Sequence, residues 1–211
     1  MEKDILDFID KKSNKINKEY KKEYDKFVGS KILHSSECLL IIEDVVDNAY
    51  KIYIFDIISC DIIDYHRLID LLHMVTKDDE VKIYIDSFGG SVQTGCMICA
   101  AMEDCKAHIT TYALDMAFSM GSTIWAFGDT LELFPGAIIM FHNMSTFMYG
   151  YLGDIRTDLK IKEDIFDRIL EISIKKGILL QEEKDDIINK NKDIYIPYEE
   201  MIKRLDRIKE Q

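Results

Sequence analysis

Residues 109–122 read Ile-Thr-Thr-Tyr-Ala-Leu-Asp-Met-Ala-Phe-Ser-Met-Gly-Ser, and this stretch decides the fold. Ile109–Leu114 is a short apolar run of the kind that forms a buried strand. Residues 119–127 continue as small and apolar residues of helical character. A strand that passes through a short connection into a helix is the building unit of an α/β core. Ser119 falls in the first turn of that helix. A hydroxyl there is presented at a strand-to-helix corner, beside the free backbone N–H of the next residue. The same place is also where serines cap helices, so Ser119 taken alone supports both readings.

Outward from this stretch the alternation repeats. Leu39–Ile42, Ile52–Phe55, Val81–Ile85 and Ala137–Phe141 are expected strands, and 61–75, 90–105 and 155–176 expected helices. In the first helix Ile62, Tyr65, Leu68, Ile69, Leu72 and Val75 make one apolar face. Such alternation predicts parallel pairing. The long helix ends at Gly177, a good C-cap residue, and a shorter helix follows over 181–189. Residues 193–196 look extended, and Pro197 starts a last helix.

Two more segments carry chemistry. In Tyr84-Ile85-Asp86-Ser87-Phe88-Gly89-Gly90-Ser91-Val92 a buried strand runs into two glycines and then a helix. Glycines let backbone N–H groups face a ligand without a Cβ in the way, and a helix start adds unsatisfied donors. Such a turn suits a phosphate, a carboxylate or the oxyanion of an acyl-transfer intermediate; a plain tight turn is the alternative. In Ile138-Ile139-Met140-Phe141-His142-Asn143 an apolar strand ends in one histidine, either a base or a buried structural residue. Parallel strands present their C-terminal ends on one sheet edge, where ligands bind. A glycine turn, a serine and a histidine at three such ends supply the oxyanion donors, nucleophile and base that acyl transfer needs.

The composition narrows the class. A chain of 211 residues holds one well-buried domain with an appendage, and a net charge of -12 argues against nucleic-acid binding. The five cysteines have no disulfide-framework spacing and are expected as reduced thiols. Cys96 and Cys99 form a lone CxxC inside a helix, read as small buried hydrophobes rather than a metal or redox pair. No signal-peptide pattern and no membrane-length apolar run is visible, so a cytoplasmic protein is expected. Residues 1–30 are rich in Lys, Asp and Glu, with apolar residues three or four apart, and are expected as a helical arm.

The chemistry-bearing segments resemble the proteolytic subunit of the Clp protease (ClpP), a family of self-compartmentalising serine peptidases sharing its fold with crotonases. Ile83–Ile98 resembles the family's strand, Ser-Pro-Gly-Gly turn and following helix. Ala117-Phe118-Ser119-Met120-Gly121 resembles its Ala-Ala-Ser-Met-Gly nucleophile motif, and Ile139-Met140-Phe141-His142 the strand bearing its catalytic histidine. Gly153-Asp154-Ile155 resembles the start of its long handle helix. The C-terminal third has too many carboxylates for composition to choose an acid. The resemblance of Asp193-Ile194-Tyr195-Ile196-Pro197-Tyr198-Glu199-Glu200 to the family's Arg-Asp stretch picks Asp193.

The resemblance implies an α/β fold, a ClpP/crotonase-like spiral of β-β-α units with a protruding handle helix over about 155–176. It implies a catalytic set of Ser119, His142 and Asp193, with the backbone N–H groups of Gly90 and Met120 as the oxyanion hole, and no metal or cofactor. Peptides or unfolded proteins are the implied substrates. The implied assembly is a homo-oligomeric ring, a heptamer or a stacked tetradecamer, served by an AAA+ unfoldase. On this reading residues 1–40 are a charged helical arm and 41–211 the peptidase domain. Departures are visible. Phe88 replaces the proline before Gly-Gly, Asn143-Met144 replaces Gln-Pro, Asp115 stands where a small residue is usual, and Lys192 replaces an arginine. Residues 1–40 do not resemble the axial loops on which the unfoldase docks. Two other readings stay open: a crotonase-fold acyl-CoA enzyme, and a catalytically silent ring or assembly subunit.

Overall fold

Every second residue of β4 (Glu80–Gly90) is buried through Val81, Ile83, Ile85, Ser87 and Gly89, and this alternation sets the sheet's inner face. The structure is a computed structural model describing residues 30–44 and 48–209. Its strands are β1 (Ser30–Ser35), β2 (Leu39–Asp44), β3 (Ala49–Ile58), β4, β5 (His108–Phe118), β6 (Thr130–Leu133), β7 (Ile138–Phe141) and β8 (Ile194–Pro197). The helices are α1 (His66–Met74), α2 (Val92–Asp104), α3 (Met120–Ala126), α4 (Leu152–Lys175), α5 (Gln181–Lys190) and α6 (Tyr198–Lys209).

All eight strands form one sheet in the order β1-β2-β3-β4-β5-β7-β8, with β6 beside β5. The centre, β3-β4-β5 with β6 and β7, is parallel, and the flanks β1-β2-β3 and β7-β8 are antiparallel. β5 is longer than its apolar run because it serves two neighbours. It pairs β6 over Thr110–Ala113 and β7 over Met116–Phe118. Leu68 and Leu72 of α1, Ile98 and Cys99 of α2 and Ile124 and Trp125 of α3 pack with Ile83 and Ile85 in one core. Trp125 is fully buried, its indole N–H donating to the Glu132 carbonyl at 3.0 Å. Outside the inner face, the Tyr53, Tyr84 and Tyr112 rings stack with centroids 4.7 Å apart across three strands.

Several expectations shift. The chain from Ser30 to Ser35 is strand rather than helical arm, its backbone groups spent on pairing with β2; residues 1–29 lie outside the described residues. The helix expected over 61–75 divides at the buried Tyr65, because Asp61 accepts from the Ile63 N–H and caps a separate 3-10 turn. β6 has no counterpart in the apolar runs, and Pro197 ends β8 instead of opening α6. The handle helix α4 is 24 residues, about 36 Å long, and only its last part is buried, at Ile169, Leu170 and Ser173.

The C-terminal elements are locked by a buried fork. Arg204 of α6 donates from Nη1 and Nη2 to the two carboxylate oxygens of Glu183 at 2.7 and 2.8 Å, and from Nη1 to the Ile178 carbonyl at 2.8 Å. Burial alone would raise the Glu183 pKa. The guanidinium and the Leu180 N–H outweigh it and hold the carboxyl below its ordinary value. A carboxylate depressed on folding contributes stability that is complete above its unfolded pKa and is lost as pH falls through the folded one. Arg204→Met is therefore expected to cost about 3 kcal/mol at pH 7 by leaving the Glu183 carboxylate without its guanidinium partner. Denaturant titrations should show the gap to wild type closing as the pH is lowered through the carboxylate range.

Candidate active site

β5 ends where Phe118 pairs Met140, and the next residue turns the chain. Ser119 has φ 55° and ψ −120°, a region that a residue with a Cβ occupies only under constraint, at a cost of about 1–3 kcal/mol. Its N–H donates to the Met140 carbonyl at 2.9 Å, and its own carbonyl accepts from the Thr123 N–H and the Ser122 hydroxyl. It occupies the N-cap position of α3, yet its side chain makes no cap hydrogen bond. Instead Ser119 Oγ lies 2.7 Å from His142 Nε2. The capping alternative therefore fails at this residue.

His142 follows β7 directly, two residues beyond the carbonyl that holds the elbow. Both side chains thus depend on the β5-β7 ladder. The third strand end is β4. Gly89 and Gly90 are not a free turn; they continue β4 and pair Ile57 and Ile58 of β3. A β-carbon on Gly89, whose φ is +91°, would lie 2.6 Å from the Ser119 Cβ and 2.9 Å from the Met120 nitrogen. One on Gly90, at φ +144°, would run into the Ile58 carbonyl. Ser87 locks the approach, its hydroxyl donating to the Asp56 carbonyl at 2.6 Å and accepting from the Gly89 N–H at 3.1 Å.

Gly90, Ser119, Met120 and His142 line one cavity of about 250 Å³. Its far wall is Phe166, Ile169 and Leu170 of α4, residues whose helical spacing in sequence shows an apolar face but not what the face covers. Asp193 is placed differently. It precedes β8, whose first pair is Ile194 with Phe141, so the backbone brings it level with His142. Its side chain is exposed and makes no hydrogen bond or ion pair among the described residues. The structure brings Ser119 and His142 together and leaves Asp193 beside them, unengaged.

The sequence departures also find places. Phe88 and Met144 line the cavity, Asp115 is exposed, and Lys192 pairs within its own segment with Asp186 at 2.9 Å. All five cysteines are free, and burial pushes the Cys99 thiol well above its ordinary range. Among the described residues no group of three or more His, Cys, Asp or Glu is placed to hold a metal ion. No described helix is long and apolar enough to cross a membrane.

A strained serine bonded to a histidine at the carboxyl edge of a parallel sheet, with glycines packed on the elbow, is an arrangement capable of acyl chemistry. The Clp protease family profile matches residues 40–203, the sheet from β2 to β8, and the chain belongs to that family. It is similar to the ATP-dependent Clp protease proteolytic subunit of Deinococcus radiodurans, 29% identical over 139 residues. The match takes in 65% of this chain and 60% of that relative's length.

Because Gly89 touches the elbow itself, Gly89→Ala is expected to push Ser119 out of line and slow its labelling by a fluorophosphonate about a hundredfold. Mass spectrometry of the labelled protein checks this against wild type.

Proposed function

We propose that this protein is a serine endopeptidase. Ser119 Oγ attacks a peptide carbonyl while His142 Nε2 accepts its proton, and His142 then returns that proton to the leaving amine. The tetrahedral oxyanion is held by the backbone N–H groups of Gly90 and Met120, each worth about 3 kcal/mol. Water admitted after the amine leaves repeats the sequence and frees the acid product. Asp193 is the acid of this set. It turns in from its exposed position to accept from His142 Nδ1, fixing the tautomer in which Nε2 is the base.

The observation that carries the reading is the 2.7 Å contact between Ser119 Oγ and His142 Nε2 at a serine whose backbone is strained. The cleft supports a polypeptide substrate. From the catalytic cavity it continues into a groove of about 830 Å³ under α4, the two sharing Gly90, Val92, Met144 and Ser145. On the other side Gly90 also borders a recess at Cys38, Asp56 and Cys60. An extended chain laid through Gly90 meets walls on both sides of the scissile bond.

Membership of the family and the largely exposed α4 support assembly into homo-oligomeric rings with the handles at the contact, working in the cytoplasm on peptides or unfolded chains. An AAA+ unfoldase as feeder rests on resemblance alone, and the sequence of residues 1–40 does not resemble the docking loops.

The deciding experiment pairs cleavage of short fluorogenic peptides with sizing of the assembly. Ser119→Ala and His142→Ala should each lower kcat by about 10⁴–10⁶, with the double variant no worse than either alone. Asp193→Ala should cost about 10⁴. Absence of cleavage and of fluorophosphonate labelling in wild type would return the choice to the acyl-CoA or silent-subunit readings.

A further inference from the structure

We propose that Phe88 determines specificity in this cleft, as a fixed ring against which an aromatic side chain of the substrate packs; this rests on the peptidase reading above. Phe88 sits between Ser87, whose hydroxyl pins the backbone, and Gly89, which touches the Ser119 elbow. Its place relative to the nucleophile is therefore set by the same contacts that set the nucleophile. The ring lines the cavity with Ser119 and His142 and yet is 54% exposed. A large apolar ring kept half in water beside the reacting atoms is not part of the core.

The ring is also buttressed. Phe118 meets Phe88 edge-on, with centroids 6.4 Å apart at 74°. Tyr195 meets Phe118 in the same way, at 5.9 Å and 87°. Phe118 and Tyr195 both pair Met140, from β5 and β8, so the sheet ladder sets the spacing behind Phe88. A ring held in advance gives up little freedom when a ligand arrives. Its quadrupole favours a second ring, edge-on or offset, over an aliphatic chain of equal area. The rest of the lining agrees. Val92, Met144, Phe166, Ile169 and Leu170 are apolar, Thr123 and Ser145 are polar but uncharged, and no Asp, Glu, Lys or Arg is among the described residues that line the cavity. Charged side chains are unmatched there, and aromatic ones are matched.

The test is a panel of fluorogenic peptides carrying phenylalanine or alanine at each position around the scissile bond. Wild type should prefer phenylalanine at one position by about tenfold in kcat/KM. Phe88→Ala should erase that preference and leave the other positions as they were. Phe88→Tyr, which keeps the ring, should retain it. Equal preferences in wild type and Phe88→Ala overturn the proposal. So does a uniform loss of cleavage for both peptides in Phe88→Ala, since that marks a structural ring. Calorimetric binding of the best phenylalanine peptide to Ser119→Ala, with and without Phe88→Ala, separates this inference from its premise. A tenfold weakening alongside an inactive wild type would sink the peptidase reading and keep the aromatic subsite. Unchanged binding with an active wild type would do the reverse.

Discussion

The hydrogen bond from the Ser119 N–H to the Met140 carbonyl is the constraint around which the molecule is arranged. It ties the end of β5 to β7 at the point where the chain must reverse into α3 with a positive φ. Everything nearby makes room for that turn. Gly89 gives up a side chain so that β4 can press on the elbow, and Gly121 gives up another so that α3 can lie on Ser87. Burial of the helix beyond the elbow offsets the strain. Met120 to Ala126 are all buried, and a single large apolar side chain such as Trp125 contributes roughly 2–3 kcal/mol when fully buried. His142 gains its position from the same bond, because it is two residues from the accepting carbonyl.

How far the fold and site were legible in sequence depends on the range of each interaction. β3, β4, β5 and β7 were readable because each holds a short apolar run, but their lengths were not. The ends of β4 and β5 carry Asp86 and Asp115, residues that look unlike a buried strand; Asp86 is held there by pairing with Phe55 and by accepting from the Met116 N–H. β1 and β6 are short and mixed in polarity, so nothing local separates them from arm or loop. Ser119 and His142 could be matched because each marks a strand end on one edge. Asp193 could be named only by resemblance. In the fold it adjoins His142 through a pairing between segments about fifty residues apart, a distance over which local pattern says nothing. The wall formed by Phe166, Ile169 and Leu170 escaped for a related reason: periodicity gives a helix its apolar face but not the object facing it.

The long helix joins two roles through a change in environment along its length. Its first turns are solvent-exposed, with Tyr151 and Leu152 at the start 84% and 75% accessible. Its last turns enter the core and close the cavity at Ser119 and His142. The junction is held from the side by the buried Lys184 of α5, which pairs Asp167 at 2.7 Å and also Glu171. The exposed part and the wall of the site therefore belong to one continuous helix, anchored by charge where the two meet.

The strand behind Asp193 has a further meaning. β8 is four residues long, has β7 as its one strand neighbour among the described residues, and ends in a proline that donates no ladder hydrogen bond. A rim strand is held by ladder hydrogen bonds on one side, where an interior strand is held on two. Ser119 and His142, by contrast, hang on interior strands. Under the peptidase reading, two of the three reactive groups are thus carried by strands paired on both sides, and the third by the residue leading into a described strand paired on one.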